Sequence, residues 1–298
     1  MKVIIFLIGI LTFNTLSGQM FQNESGDILS ENPFFNAKFI RSAGLKHLSG
    51  EVSTKKELGT IRNSNKSKGY LFDETGNLTA QYSTVFNGQK RDTNFIFYEY
   101  NEQARLLVKR FSDSYGFYSY THEYNLDGQK TKQIYAREKN ASTSKINFSL
   151  AEQYIVFEES YTYSKKDSIT KKIILNSNGR PYQEETKHYN SLGYLAQENT
   201  RLLINNTSKS KKYEYNHKGF LKLIDFYKVP HTVPYKSIKY AYDEWGNVTF
   251  VDEYKDQERV KHVELLYDPS TLILKTILSQ DLLTNLITIT KFKPEFYN

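Results

Sequence analysis

The stretch Tyr240-Ala241-Tyr242-Asp243-Glu244-Trp245-Gly246-Asn247-Val248 decides how the chain is read. Tyr240 and Tyr242 are two residues apart, so on an extended strand they share one face. Asp243 opens a turn, because its carboxylate can accept a bond from a backbone N–H two residues on. Gly246 stands where the chain needs positive φ to leave the turn and start a bulged return strand. Val248 resumes the strand. The formula is strand, tight turn, returning strand.

The formula recurs. Its anchors are Asp73, Asn101, Asn125, Asn176, Asn190, Asn216 and Asp243, followed three residues on by Gly76, Ala104, Gly128, Gly179, Gly193, Gly219 and Gly246. One residue before the anchors stand Phe72, Tyr100, Tyr124, Leu175, Tyr189, Tyr215 and Tyr242. Five residues after them stand Leu78, Leu106, Lys130, Pro181, Leu195, Leu221 and Val248. Ala104 is the one departure from Gly, which makes that turn less comfortable. A degenerate copy, Leu265-Leu266-Tyr267-Asp268-Pro269, replaces Gly with Pro chemistry. Most spacings lie near 26 residues, as from Asn190 to Asn216 and from Asn216 to Asp243. Such a period accommodates two strands and two turns. The 51 residues from Asn125 to Asn176 read as a doubled interval, and the 14 from Asn176 to Asn190 are out of phase.

This pattern resembles the YD repeat of RHS and teneurin-like proteins. Residues 240–248 carry the likeness best, followed by Gly69-Tyr-Leu-Phe-Asp-Glu-Thr-Gly-Asn-Leu78 and Tyr213-Glu-Tyr-Asn-His-Lys-Gly-Phe-Leu221. The resemblance implies long antiparallel sheets of repeated hairpins, often curled into a shell. In larger members the shell encloses a toxin or mediates contact at a cell surface. This chain is far shorter, has Asn at most anchors and carries no appended toxin domain.

The expected fold is therefore all-β: an elongated, curled antiparallel sheet of repeated hairpins, with about fourteen to sixteen strands across 65–292. Residues 1–18 read as a signal peptide, from Met1-Lys2 and the apolar run Val3–Phe13. That run is too short to span a bilayer, so no transmembrane segment is expected in the mature chain. Residues 19–64 read as a lead-in, in which 36–48 fits neither helix nor strand period. Residues 65–270 form the repeat array, with 137–150 a polar loop or insertion inside it. Residues 271–298 read as an aliphatic capping hairpin that protects the last edge, or alternatively as an edge open to another chain.

Composition excludes several function classes. The 298 residues include 24 Tyr, one Trp and no Cys, so there are no disulfides and no lipid-bearing cysteine. The net charge of +7 is scattered among acidic residues rather than gathered in a stripe, which argues against nucleic acid. No two of the six His lie three to five apart, so no local metal pair exists and no cofactor is expected. Glu158-Glu159 and Glu184-Glu185 are strand neighbours that point to opposite faces. The single carboxylate of each repeat turn falls short of a calcium loop.

The expected function is a secreted or periplasmic bacterial protein without catalysis. It would bind an unknown protein or glycan at the cell surface through a Tyr-rich sheet face, with Tyr100, Tyr124, Tyr189, Tyr215 and Tyr242 aligned on it. The alternatives are an exported carbohydrate-active hydrolase using sheet-face carboxylates and a purely structural envelope component.

Overall fold

The computed structural model describes residues 18–298 apart from 57, 89 and 114. The signal-peptide reading falls on residues that, except for Gly18, lie outside the described ones. Among the described residues a short helix, α1 (Ala37–Ser42), precedes eighteen strands. They are β1 (Leu45–Lys56), β2 (Arg62–Phe72), β3 (Leu78–Asn87), β4 (Lys90–Tyr100), β5 (Leu106–Asp113), β6 (Gly116–Tyr124), β7 (Lys130–Asn140), β8 (Leu150–Lys166) and β9 (Ile169–Leu175). Then follow β10 (Pro181–Tyr189), β11 (Leu195–Leu202), β12 (Thr207–Tyr215), β13 (Leu221–Val229), β14 (Lys236–Tyr242), β15 (Val248–Lys255), β16 (Glu258–Tyr267), β17 (Leu274–Asp281) and β18 (Leu286–Phe296).

Each strand pairs antiparallel with its neighbours in chain order, and β18 pairs with β1 from Leu45↔Phe296 to Lys56↔Leu286. The sheet is a closed barrel. This corrects the expected elongated, curled sheet of hairpins: twist accumulates over so many strands that the sheet closes, and closure removes both end edges at once. The last hairpin, β17–β18, forms the closing seam instead of capping a free end. The lead-in contributes α1, all of β1 and the start of β2. Asn36 caps α1 through its side chain, which accepts from the backbone N–H of Lys38 and Phe39. Helix and strand thus meet inside 36–48, where neither period dominates.

The turns follow the sequence formula. Asp73 Oδ1 accepts from Thr75 N and Asn77 N at 2.9 Å each, and Asn101 Oδ1 from Gln103 N at 3.0 Å and Arg105 N at 2.9 Å. Asn serves as well as Asp for these backbone bonds because they use one acceptor oxygen; at Asp73 and Asp243 the second oxygen accepts from Asn77 Nδ2 and Asn247 Nδ2. Strand register slips at the residue before the anchor, as between Glu99 and Tyr100 or Ala241 and Tyr242, which is the bulge that positive φ creates.

Phase explains the irregular spacings. The turns at Asp73, Asn101, Asn125, Asn190, Asn216, Asp243 and Asp268 each join an even strand to an odd one, so all lie on one rim. Asn176 joins β9 to β10 and lies on the other rim. Its 14-residue step is one strand and one turn. The 51-residue interval is three strands, β7 to β9, rather than a doubled unit. Only residues 141–149 interrupt the sheet there, since 137–140 belong to β7 and 150 opens β8.

The tyrosines form rungs on one face. Tyr100 OH donates to Leu78 O at 2.9 Å, Tyr124 OH to Leu106 O at 2.7 Å, Tyr215 OH to Leu195 O at 2.9 Å and Tyr242 OH to Leu221 O at 2.6 Å. Each acceptor is the residue five beyond the preceding anchor. Tyr163 OH to Lys130 O and Tyr267 OH to Val248 O, both 2.8 Å, extend the series. Tyr189 stands at the matching position of β10.

This face is the inner one. Gly26 O accepts from Tyr240 OH on β14, and Glu31 O from Tyr98 OH on β4. Going round the wall, those strands are at least eight steps apart, or about 38 Å. Five residues of chain reach at most about 18 Å, so the segment from Gln19 to α1 crosses the lumen. Its Met20, Phe21, Phe34, Phe35 and Ile40 form one buried cluster with Tyr70, Phe72, Ile224, Leu265, Leu274 and other wall residues. This segment is a plug, and the core of the molecule lies between plug and wall.

Candidate functional site

On the rim carrying the Asp/Asn turns, the first stretch of the plug passes the ends of β10 to β14. Met20 N donates to Asn247 Oδ1 at 2.9 Å, and Asn23 Nδ2 to Tyr242 OH at 3.0 Å. Between this stretch and the wall lies a cavity of about 600 Å³, lined by Tyr189, Tyr194, Tyr215, Phe220 and Tyr242 on the barrel side and by Gln19, Gln22, Asn23, Glu24 and Ser25 on the plug.

The aromatic lining has a repeat logic. At three anchors the residue four beyond lies against the ring of the next rung. Tyr194 stacks on Tyr215 with centroids 4.8 Å apart, Phe220 lies 5.0 Å from Tyr242, and Arg105 sits over Tyr124 at 6.0 Å. The wall is doubly aromatic only where two consecutive units carry a ring at that offset. Tyr194 and Phe220 were not singled out in the sequence, although alignment on the anchors exposes them.

The five expected binding-face aromatics are not brought together. Tyr189, Tyr215 and Tyr242 share this cavity. Tyr100 lines a separate hollow of about 490 Å³ beside α1, with Asp73 and Lys38. Tyr124 is covered by Arg105. Barrel closure turns the face that carries these rungs inward, toward the plug.

Burial dominates the electrostatics. It pushes the Tyr242 phenol up to about 12, against a smaller opposing effect of the Asn23 hydrogen bond. The Tyr215 phenol is raised by burial first and by Glu24 second. Both remain neutral donors at ordinary pH. The lining therefore offers apolar ring faces beside amides, phenols and one carboxylate, an arrangement that can grip a polyhydroxylated or amide-bearing group.

The carboxylate neighbours separate as strand alternation requires. Glu185 pairs with Lys172 at 3.0 Å on the inner side, where Lys172 also lies 4.5 Å from the Tyr161 ring centroid. Glu184 pairs with Lys171 and Arg201 on the outer side. Glu159 accepts hydrogen bonds from Tyr161 and Tyr182, and Glu158 pairs with Lys132. Among the described residues no group of three His, Asp or Glu is placed to hold a metal ion. His122 is buried in the inner wall, and its Nδ1 has no hydrogen-bond partner among the described residues.

No protein-family model matches the sequence, and no curated protein is similar to it. Among solved structures, a porin-like protein from Bacteroides uniformis is similar over 84% of this chain and 98% of its own, with 11% identity and a TM-score of 0.39. A Tc holotoxin pore from Photorhabdus luminescens is 13% identical over 76% of this chain and 12% of its own, with a TM-score of 0.29. A LolA superfamily protein from Nitrosomonas europaea is 8% identical over 87% of this chain and 92% of its own, with a TM-score of 0.20. Likenesses this distant carry no functional argument.

Proposed function

We propose that this is an exported bacterial binding protein of the YD-like repeat type, without catalytic activity, whose ligand seats in the aromatic cavity of the turn rim. The observation that carries the reading is the gathering of Tyr189, Tyr194, Tyr215, Phe220 and Tyr242 around about 600 Å³ closed by the polar plug stretch. A glycan unit, or a polar side chain of a surface protein, matches that chemistry. The outer wall supports a water-facing setting, since it carries Lys171–Glu184–Arg201 and the Asp252 pairs with Arg259 and His262. A lipid-facing barrel needs an apolar band there. No helix of the described residues is long and apolar enough to cross a membrane. The hydrolase alternative asks for two carboxylates facing across a cleft, and Glu24 is the one acid on this cavity's lining.

Trp245, the one tryptophan, lies in the adjacent turn and is 57% exposed. Its emission provides a built-in reporter. Screening against glycans and surface-protein peptides should yield a ligand that shifts it. Tyr215→Ala should weaken that ligand at least tenfold, while Tyr124→Ala should not. Equal affinity for Tyr215→Ala, Phe220→Ala and wild type would remove the cavity from the function.

A further inference from the structure

Closure removes the edges of this sheet almost everywhere, which makes a long apolar exception informative. Strand β8 pairs with β7 from Leu150 to Ser160, but with β9 only from Ser160 onward. At Glu158 the missing neighbour is replaced by Ser177, whose hydroxyl accepts from Glu158 N at 3.0 Å and donates to Glu158 O at 3.2 Å. From Leu150 to Phe157, about 26 Å of strand, one edge has no strand beside it. Tyr154, Ile155 and Val156 are 59%, 58% and 54% exposed, and Leu150 and Phe157 are exposed as well. Both faces of this segment are therefore wet and apolar, and its outward backbone groups lack a sheet partner.

Other overhanging edges differ. The start of β2, Arg62 to Lys66, is polar. The start of β4 is held by Lys145, whose Nζ donates to Asp92 Oδ2 at 2.7 Å and to Thr93 O at 3.3 Å. The devices that blunt an edge are charge, proline, β-bulges and covering loops. Leu150–Phe157 has no proline, and its single acid, Glu152, is engaged by Lys139 of β7. Of these devices the segment carries only bulges: two register irregularities in the pairing with β7 bend it and leave it uncovered.

We propose that this edge is a self-association site, at which β8 of one molecule pairs antiparallel with β8 of a second copy about a twofold axis at Tyr154. That register sets Tyr154 against Tyr154, Gln153 against Ile155, Ala151 against Phe157 and Glu152 against Val156. An aromatic pair falls on the axis, a small residue faces a large one, and no two like charges are opposed. The carboxylates at the ends, Glu152 and Glu158, are already neutralised within each copy by Lys139 and Lys132. A twofold pair of this kind is closed, so association stops at the dimer. The buried area is on the order of 800–1,000 Å², at the low end for specific interfaces, so the dimer is a weak one.

Sedimentation equilibrium of the mature chain from about 1 to 500 μM, the range in which weak association is read, tests this. The expected result is a monomer–dimer equilibrium that Ile155→Lys abolishes without changing the circular dichroism spectrum or melting temperature. The register is tested separately. With no native cysteine, Tyr154→Cys places one thiol per molecule on the axis and should cross-link to a dimer under mild oxidation. Thr162→Cys, exposed on the same strand but beside β9, should not. Wild type that stays monomeric over the whole range overturns the proposal and leaves the edge to a strand from a different protein. Dimers that persist in Ile155→Lys, or equal cross-linking at both thiols, overturn it as well.

Discussion

Gly76 tests whether the plug is seated on the wall as described. Its φ is +88°, and a Cβ added there would fall on the carbonyl oxygen of Ala37 and 2.8 Å from Arg41 N, both backbone atoms of α1. Gly179 provides the control, with φ +70° and nothing within 4 Å of the added atom. Gly179→Ala therefore carries only the cost of a left-handed backbone, about 1 kcal/mol. Gly76→Ala carries the same cost and must also displace α1, which overpacking puts at about 1–3 kcal/mol more. At roughly 2–4 °C per kcal/mol for a chain of this size, Gly179→Ala should melt about 2–4 °C below wild type, and Gly76→Ala about 4–16 °C below it. Melts followed by near-ultraviolet circular dichroism measure the difference. Proteolysis of Gly76→Ala should also begin within residues 18–44, because loosening α1 frees the plug first. Ala104, at φ +56°, holds a methyl group at the same offset; Ala104→Gly should raise the midpoint by relieving that strain. Equal shifts for Gly76→Ala and Gly179→Ala would refute the seating of α1 on the Asp73 turn.

Three further outcomes follow from buried groups. Burial raises Tyr70, Tyr98, Tyr213, Tyr240 and Tyr242, the last to about 12. Unfolded phenols ionise near 10, so the unfolded state loses protons first, and stability should fall as pH rises from about 10 to 12; absorbance at 295 nm and the unfolding signal should rise together. Burial, reinforced by Lys130 and Lys109, pushes His122 down to about 4. The unfolded state then binds the extra proton between about pH 6.5 and 4, so stability falls as pH drops through that window, and His122→Gln should flatten this part of the profile in denaturant titrations. Glu138 accepts from Arg110 Nε at 2.6 Å and Ser119 Oγ at 2.7 Å, beneath a 141–149 connection whose Phe148 ring lies 4.2 Å from the Arg110 guanidinium. Glu138→Ala should cost about 3 kcal/mol by leaving a buried cation short of its partner, and should speed protease cleavage within 141–149; an unchanged midpoint would show the pair to be dispensable.

Local chemistry was legible in the sequence wherever a residue type answers a backbone demand. Asp or Asn at the anchor, Gly three residues on and Tyr one before specify a turn, a positive φ and a bulge, and those needs are met within about ten residues of chain. Hairpin order follows as well, because short connections leave adjacent strands no other partner. Even the opposite-rim position of Asn176 is written in its 14-residue step, once strands rather than repeats are counted. Closure was not legible. The β1–β18 pairing joins residues some 240 positions apart, and nothing in Leu45–Lys56 or Leu286–Phe296 announces the other, since the edges find each other only after twist has brought them round. The plug was hidden for a related reason. Phe21, Phe34 and Phe35 show no period because an irregular segment enclosed by a barrel is selected by the shape of the lumen, not by a repeating face of its own. The rim cavity inherits both limits: Tyr189, Tyr215 and Tyr242 come from the repeat, whereas the wall that completes it, Gln19 to Ser25, is placed by the tertiary structure alone.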